Sequence, residues 1–255
     1  MTWSAKQYST FEEERTRPVR DLVAAVPATH PVHTAIDLGC GPGNSTEVLA
    51  QRFAQAAASG IDSSGDMIDA ARQRLPGVPF AVADIAGWRA AQPMDLILAN
   101  ASLQWLPDHA TLYPQLVAQL AHGGHLAVQT PDNLQEPAHR LARELAADDA
   151  FAERIGAVRH PPRHSAIDYY AMLRPHCSRV DVWRTTYHHP LAGGAAAVVE
   201  WFKGSALRPY LALLDAVQQA AFLARYQALI AEAYPALADG SVLLPFPRLF
   251  IVATR

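Results

Sequence analysis

Residues 34–54, TAIDLGCGPGNSTEVLAQRFA, constrain the fold more than any other stretch. The run TAIDL is apolar and too short for a stable helix, so it reads as a buried strand. Three glycines at alternate positions, Gly39, Gly41 and Gly43, then turn the chain. NSTEVLAQRFA predicts a helix capped by Asn44 or Ser45. The same order repeats downstream. ASGID predicts a second strand ending at Asp62, and SSGDMIDAARQRL a helix capped by Ser63 or Ser64. VPFAVADI predicts a third strand ending at Asp84, and MDLILAN a fourth ending at Asn100. HATLYPQLVAQLA predicts a helix bent or delayed by Pro114, and GGHLAVQTP a fifth strand after a Gly-Gly turn.

Strands alternating with helices give a parallel sheet joined by right-handed crossovers. Leu96-Ile97-Leu98 is apolar on both faces, which demands helices on both sides of that sheet. The predicted class is α/β and Rossmann-like. Ahead of the sheet, YSTFEEERTRPVRDLVAAV predicts a helix broken near Pro18, with Val19, Leu22, Val23 and Val26 on one stripe. Behind it, residues 133–175 read as helical around the loop VRHPPRHS, and RVDVWRTTYHH alternates as a strand. Residues 191–245 read as an Ala/Leu-rich helical insertion, and FPRLFIVATR as a terminal strand. The 255 residues suit one α/β core carrying an insertion. The expected division is an N-terminal helical lid segment (1–30), the core (31–190), an insertion forming a substrate lid (191–245) and the final core strand (246–255).

An acid followed by backbone without side chains suits two ligands, a nicotinamide dinucleotide and S-adenosylmethionine (SAM). The dinucleotide fingerprint is G-x-G-x-x-G, whose last glycine lets helix and strand pack closely. Here that position is Asn44. Asp37, at the strand tip, would repel a diphosphate and attract the ammonium of SAM, directly or through water. Asp62, at the next tip, suits both ribose hydroxyls, as it does in dinucleotide enzymes too. Asp84 suits the adenine amino group, with Ile85 stacked on the ring. A single strand-end aspartate commonly caps a loop. Three at successive strand tips behind a glycine loop favour SAM.

The formal net charge of −3 offers no basic surface to nucleic acid or an anionic membrane. No apolar run spans a bilayer, and MTWSAKQYSTFEEERTRP lacks the apolar stretch of a signal peptide, so a cytoplasmic protein, expected as a monomer, follows. Cys40 and Cys177 suggest neither a disulfide framework nor a metal cluster, and Cys40 reads as a small filler in the glycine loop. The histidines, His188-His189 included, show no metal-ligand spacing.

DLGCGPG, GIDSS, VADI and NASLQWLPD resemble the class I SAM-dependent methyltransferases over roughly residues 30–130. ERTRP, GIDSSGDMI, LANASLQWLPDH, WRTTYHH, ALRPYL and FPRLFIVA extend the resemblance to nearly the whole chain, and narrow it to the trans-aconitate 2-methyltransferase family. Ala206 and Tyr210 depart from the Gly and Trp of that family's pattern. The resemblance implies a seven-stranded, mostly parallel sheet with a helical lid inserted before the last strand. It implies transfer of a methyl group from SAM to one carboxylate of a tricarboxylate, leaving S-adenosylhomocysteine and using no metal. It carries the cofactor site to Asp37, Gly39, Asp62, Asp84 and Ile85, with Gly41, Asn44 and Ser63 in the same loops. Asn100 and Ala101 fall where the family's fourth-strand motif lines the transfer site. Tyr8 and Arg15 or Arg17 fall on a helix over the methionine end of the cofactor. Two alternatives remain at this point: another small acceptor, or a SAM-binding protein without catalysis.

A carboxylate acceptor is already ionised at neutral pH, so no general base is needed. Catalysis rests on holding the acceptor oxygen in line with the departing sulfur in a closed, dry site. Arginine forks suit the non-reacting carboxylates. Arg184, Arg208 and Arg248 are the candidates, with Arg17, and Trp105 and Tyr187 are expected beside them as walls. Trp201 and Tyr210 are further wall candidates; Gln104 suits either a substrate bond or a loop cap.

Overall fold

The computed structural model describes residues 12–159 and 163–255. These fall into two compact units, the first within Met1–Pro131, Pro161–Thr185 and Leu249–Arg255, the second within Asp132–His160 and Thr186–Arg248. The division differs from the one read from the sequence: residues 132–160, expected in the core, group with the insertion.

One seven-stranded sheet has the order β3-β2-β1-β4-β5-β7-β6. Its strands are β1 (Thr34–Leu38), β2 (Ala57–Asp62), β3 (Phe80–Val82), β4 (Met94–Asn100), β5 (Leu120–Pro131), β6 (Arg179–Leu191) and β7 (Val242–Thr254). β1 pairs in parallel with β2 (Ile36 beside Ser59) and with β4 (Ile36 beside Ile97). β2–β3 and β4–β5 are parallel too. β7 runs the other way: Arg255 N–H donates to Gly124 O at 3.0 Å, and Asp132 N–H to Pro247 O at 2.9 Å. The chain winds outward from β1 in both directions, so the order reverses between β1 and β4 and leaves a crevice at the strands' C-terminal ends. Ala35, Leu38, Leu96, Ile97, Leu98 and Ala99 are fully buried, as a sheet covered on both faces requires.

The helices of the first unit are α1 (Glu12–Ala24), α2 (Asn44–Arg52), α3 (Gly65–Arg74), α4 (His109–Ala118) and, further along the chain, α7 (Ala166–Leu173). α1 packs on α2 and β5 and buries Val19, Leu22 and Val23. Each such side chain contributes about 1.5–3 kcal/mol of transfer free energy. That explains two corrections. Pro18 does not break α1 and Pro114 does not delay α4; both lie inside their helices. A helical proline forfeits one hydrogen bond and crowds the preceding turn, a cost of about 3 kcal/mol. The burial of Val19, Leu22 and Val23 in one case, and of Leu112, Tyr113, Leu116 and Val117 in the other, exceeds it. Asp108 caps α4 by accepting from Thr111 N–H at 3.3 Å.

Other boundaries move. β3 stops at Val82, before Asp84. β5 starts at Leu120 and runs through the Gly-Gly pair, and a register shift between Met94 and Leu96 on β4 absorbs the irregularity. β7 starts at Val242, ahead of the FPRLFIVATR segment.

The second unit holds α5 (Pro137–Ala146), α6 (Ala152–Ile155), α8 (Gly194–Lys203), α9 (Arg208–Leu211) and α10 (Ala216–Ala233). α10 opens on a capping box between Asp215 and Gln218 and packs on α5 and α8. Buried Tyr226 donates to Ala138 O at 2.8 Å, and Ala138 N–H donates to the Tyr234 hydroxyl at 3.1 Å. Among the described residues no helix is long and apolar enough to cross a membrane.

Candidate functional site

The loops after β1, β2, β3 and β4 line one cleft. Its walls are Gly39, Gly41, Asp62, Ser63, Met67, Ala83, Asp84, Ile85, Asn100, Ala101, Ser102, Trp105 and Leu106. Most residues singled out from the sequence for the cofactor therefore meet at one place, where the strand order reverses. Trp105, expected beside the acceptor, is among them and is half exposed.

The glycine loop is fastened from beneath. Gly39 and Cys40 N–H donate to Ile61 O at 2.8 and 2.9 Å. Gly39 has φ +76°, and a Cβ there would sit 2.3 Å from the Ser102 Cβ. Only glycine meets both conditions. Ser102 Oγ donates to Leu38 O at 2.6 Å, so the two loops close on each other.

Asp62 accepts Gly41 N–H on Oδ2 at 3.0 Å and Ser64 N–H on Oδ1 at 2.9 Å. Each oxygen keeps a lone pair for a ligand hydroxyl. Asp84 accepts Ala86 N–H on Oδ1 at 3.0 Å and is exposed. Ile85, Met67, Ala83 and Leu106 supply apolar surface beside these carboxylates. Asn100 is buried, and its Oδ1 has no hydrogen-bond partner among the described residues. Ala101 has φ +51°, a left-handed conformation that costs a non-glycine residue about 1–2 kcal/mol. Gln104 Nε2 braces it by donating to Ala101 O at 2.6 Å, and Ala101 N–H donates to Gln129 O at 2.8 Å.

Asp37 stands elsewhere than expected. It is fully buried and does not line the cleft. Its Oδ2 accepts from Ser45 Oγ at 2.6 Å and Thr46 Oγ1 at 2.7 Å, while Oδ1 has no partner among the described residues. Ser45 is thus occupied inside the first turn of α2 and does not cap it. The cap position is Gly43, in a left-handed conformation, and no side chain bonds there. Asn44 is also turned away from the cleft, donating from Nδ2 to Thr16 Oγ1 on α1 at 3.2 Å. Ser64 holds the cap position of α3 without a side-chain bond.

Burial pushes the Asp37 carboxyl up to about 6, against the lowering effect of Ser45 and Thr46. An acid whose folded pKa is raised binds protons more readily folded than unfolded. Its ionisation therefore weakens the fold above that pKa, and stability returns as pH falls from about 6 toward 4. The span from 3.8 to about 6 amounts to about 3 kcal/mol. Asp37→Asn is expected to melt higher than the wild type at pH 7.5, to keep about half of that advantage at pH 5 and to lose it toward pH 4. A difference in melting temperature that stays constant across this range would refute the burial account.

Cys40 is buried against Ile68, Ala71 and Phe80, and desolvation pushes its thiol up, consistent with a filler. Arg17 lies exposed on α1, and Tyr8 lies outside the described residues. Arg184 is exposed on β6 in the first unit. In the second unit, Tyr187 is buried on β6, Arg208 opens α9, and Arg248 is buried on β7 with its guanidinium 4.8 Å from the Phe246 ring centre. Trp201 and Tyr210 are buried in the same unit.

Met67, Ala83, Ser102 and Leu106 were not singled out from the sequence. Met67 carried a signal: it lies in the first turn of the helix whose cap follows Asp62, so it shares the strand tip. Ser102 carried none, because its proximity to Gly39 exists only once β1 and β4 are neighbours.

Residues 35–124 match the methyltransferase-domain family. A trans-aconitate 2-methyltransferase of Methylobacterium nodulans is 54% identical over 99% of this chain and 98% of that protein. Another, of Rhizobium etli, is 50% identical over the full length of both. Among solved structures, the YcgJ protein from Bacillus subtilis matches 94% of this chain and 98% of its own, with a TM-score of 0.59 at 11% identity, which speaks for the fold.

Proposed function

The chain belongs to the trans-aconitate 2-methyltransferase family, and on that premise we propose that it transfers a methyl group from SAM to one carboxylate of trans-aconitate, giving a monomethyl ester. The observation that carries the reading is the cleft itself. Asp62 and Asp84 present acceptor oxygens beside a loop whose approach is cleared at Gly39 and Gly41. That pattern suits a nucleoside with a free ribose and an adenine amino group, while the negative charge of Asp62 and Asp84 opposes a diphosphate beside them.

Bound there, SAM supplies a methyl group already activated on a sulfonium. The residues proposed to hold it divide the work. Asp62 accepts from the ribose hydroxyls, with Ser63 beside it. Asp84 takes the adenine amino group, and Ile85 and Met67 sandwich the ring. Gly39 and Gly41 let the backbone approach. Asn100 Oδ1, without a hydrogen-bond partner among the described residues, favours the ammonium end, and the charge of Asp37, outside the cleft lining, adds to it at longer range. Ala101 and Trp105 flank the transferring position; Tyr8 and Arg17, from the N-terminal segment, are assigned to the methionine end by resemblance alone. The acceptor carboxylate needs no base, so the protein's task is orientation and exclusion of water. Arg184, Arg208 and Arg248, with Tyr187, are proposed for the non-reacting carboxylates. An ion pair there leaves the attacking oxygen nucleophilic.

The test is methyl transfer from labelled SAM to trans-aconitate, run beside cis-aconitate, citrate and isocitrate. Preference for trans-aconitate is expected; transfer only to another acid would discard the acceptor, and SAM binding without any transfer would discard the catalytic reading. In the same assay Arg208→Ala is expected to raise the acceptor KM about 10-fold or more, the loss of one bidentate charge-assisted contact, with SAM affinity little changed. An equal loss of SAM binding would place Arg208 in the cofactor site instead.

A further inference from the structure

The turn after β4 forms one wall of the cleft through Ala101, Ser102, Trp105 and Leu106. Its middle, Leu103–Trp105, is a single 3-10 turn, too short to hold itself rigid. It is braced from behind. His109, the buried first residue of α4, places Nε2 2.9 Å from Leu103 O and Nδ1 2.8 Å from the Tyr169 hydroxyl on α7. A carbonyl only accepts, so Nε2 carries the proton. In the neutral ring Nδ1 is a lone pair, and the Tyr169 hydroxyl donates to it. The two partners thus fix the tautomer of a neutral imidazole.

The surroundings favour that state. The rings facing His109 are Tyr113 of α4 at 5.3 Å, His164 at 5.4 Å and Tyr169 at 5.8 Å. Arg163, whose Nη1 donates to Gln104 O at 2.9 Å, adds positive charge close by. Burial and this charge both oppose an imidazolium.

Resting on the functional reading above, we propose that His109 is a positioning residue for methyl transfer: as a neutral strut between Tyr169 and the Leu103 carbonyl, it fixes the wall that orients the acceptor against the methyl group. His109 touches neither substrate; it acts through Ser102, Trp105 and Leu106. A wall displaced by a fraction of an ångström leaves room for the same ligands but spoils the in-line approach.

The experiment compares His109→Leu, His109→Gln and Tyr169→Phe with the wild type. Readouts are kcat, acceptor KM, the pH–rate profile and amide exchange over residues 101–106. His109→Leu is expected to lower kcat about 10-fold or more while acceptor KM moves much less, and to speed exchange in the turn. His109→Gln, which offers one donor and one acceptor, is expected to recover most of kcat. Tyr169→Phe frees Nδ1 and is expected to add an ionisation on the acidic limb of the profile. Equal impairment of the Leu and Gln variants, or unchanged kcat in both, would overturn the proposal. If His109→Leu does not fold, an unaltered profile in Tyr169→Phe overturns it equally. Wild-type protein that transfers no methyl would sink the functional reading instead, while exchange in the turn would still test the strut.

Discussion

Gly39→Ala is expected to abolish detectable SAM binding and to lower the melting temperature by about 6–12 °C, from a cost of about 3 kcal/mol in a chain of this size. Two terms contribute. The left-handed dihedral, φ +76°, costs an alanine about 1–2 kcal/mol. The added methyl would lie 2.3 Å from the Ser102 Cβ, which must move, and overpacking of this kind costs about 1–3 kcal/mol. Ser102 cannot swing aside freely, because its Cβ is fixed to the backbone and its hydroxyl is bonded to Leu38 O. The terms separate experimentally. Ser102→Gly in the Gly39→Ala background removes the atom that is struck, so it should recover the clash share of stability and leave the dihedral share. Calorimetric melting of the wild type, Gly39→Ala, Ser102→Gly and the double variant checks this. A single variant that melts and binds like the wild type would mean that the loop relaxes without cost, and that its shape does not define the cofactor cleft.

Asp62→Ala is expected to weaken SAM binding about 100-fold, corresponding to about 3 kcal/mol for two charge-assisted bonds to the ribose. The side chain has a second role, because it accepts Gly41 N–H and Ser64 N–H. Truncation therefore also loosens the glycine loop and the start of α3. Asp62→Asn retains an acceptor oxygen and the side-chain volume, so it should lose less affinity than alanine and melt closer to the wild type. Titration calorimetry with SAM and with adenosine distinguishes the roles. Loss for both ligands supports the ribose contact. Unchanged affinity in Asp62→Ala would remove Asp62 from the cofactor site.

The site was legible in the sequence to the extent that it is local. Gly39, Gly41, Asp62, Asp84, Asn100 and Ala101 all lie at strand ends or within three residues after them, and a parallel sheet brings successive strand tips to the same edge. Knowing that Asp62 ends β2 and Asn100 ends β4 was therefore nearly enough to place them together. Asp37 shows where that reasoning stops. Its position after Ile36 is local, but its direction depends on the side on which the strand's alternation turns it. It turns inward, where Ser45 and Thr46, in the first turn of α2 beyond the glycine loop, meet it. The same choice took Ser45 and Asn44 from the capping role that composition alone assigned them. Pro18 sits within a helix and does not break it for a related reason: local propensity cannot weigh a lost backbone bond against apolar burial that distant residues complete.

By itself the sequence determined the alternation of strands and helices, the apolar faces of β1 and β4, the glycine turn and the acids at the strand tips. These depend on periodicity and on backbone sterics, which act over a few residues. Only the tertiary structure decided that residues 132–160 group with 186–248, that Ser102 closes on Gly39, and that His109 finds Tyr169 across 60 residues of chain. Those outcomes depend on which surfaces meet once the sheet has formed, and no local pattern encodes a contact whose partner arrives from elsewhere in the fold.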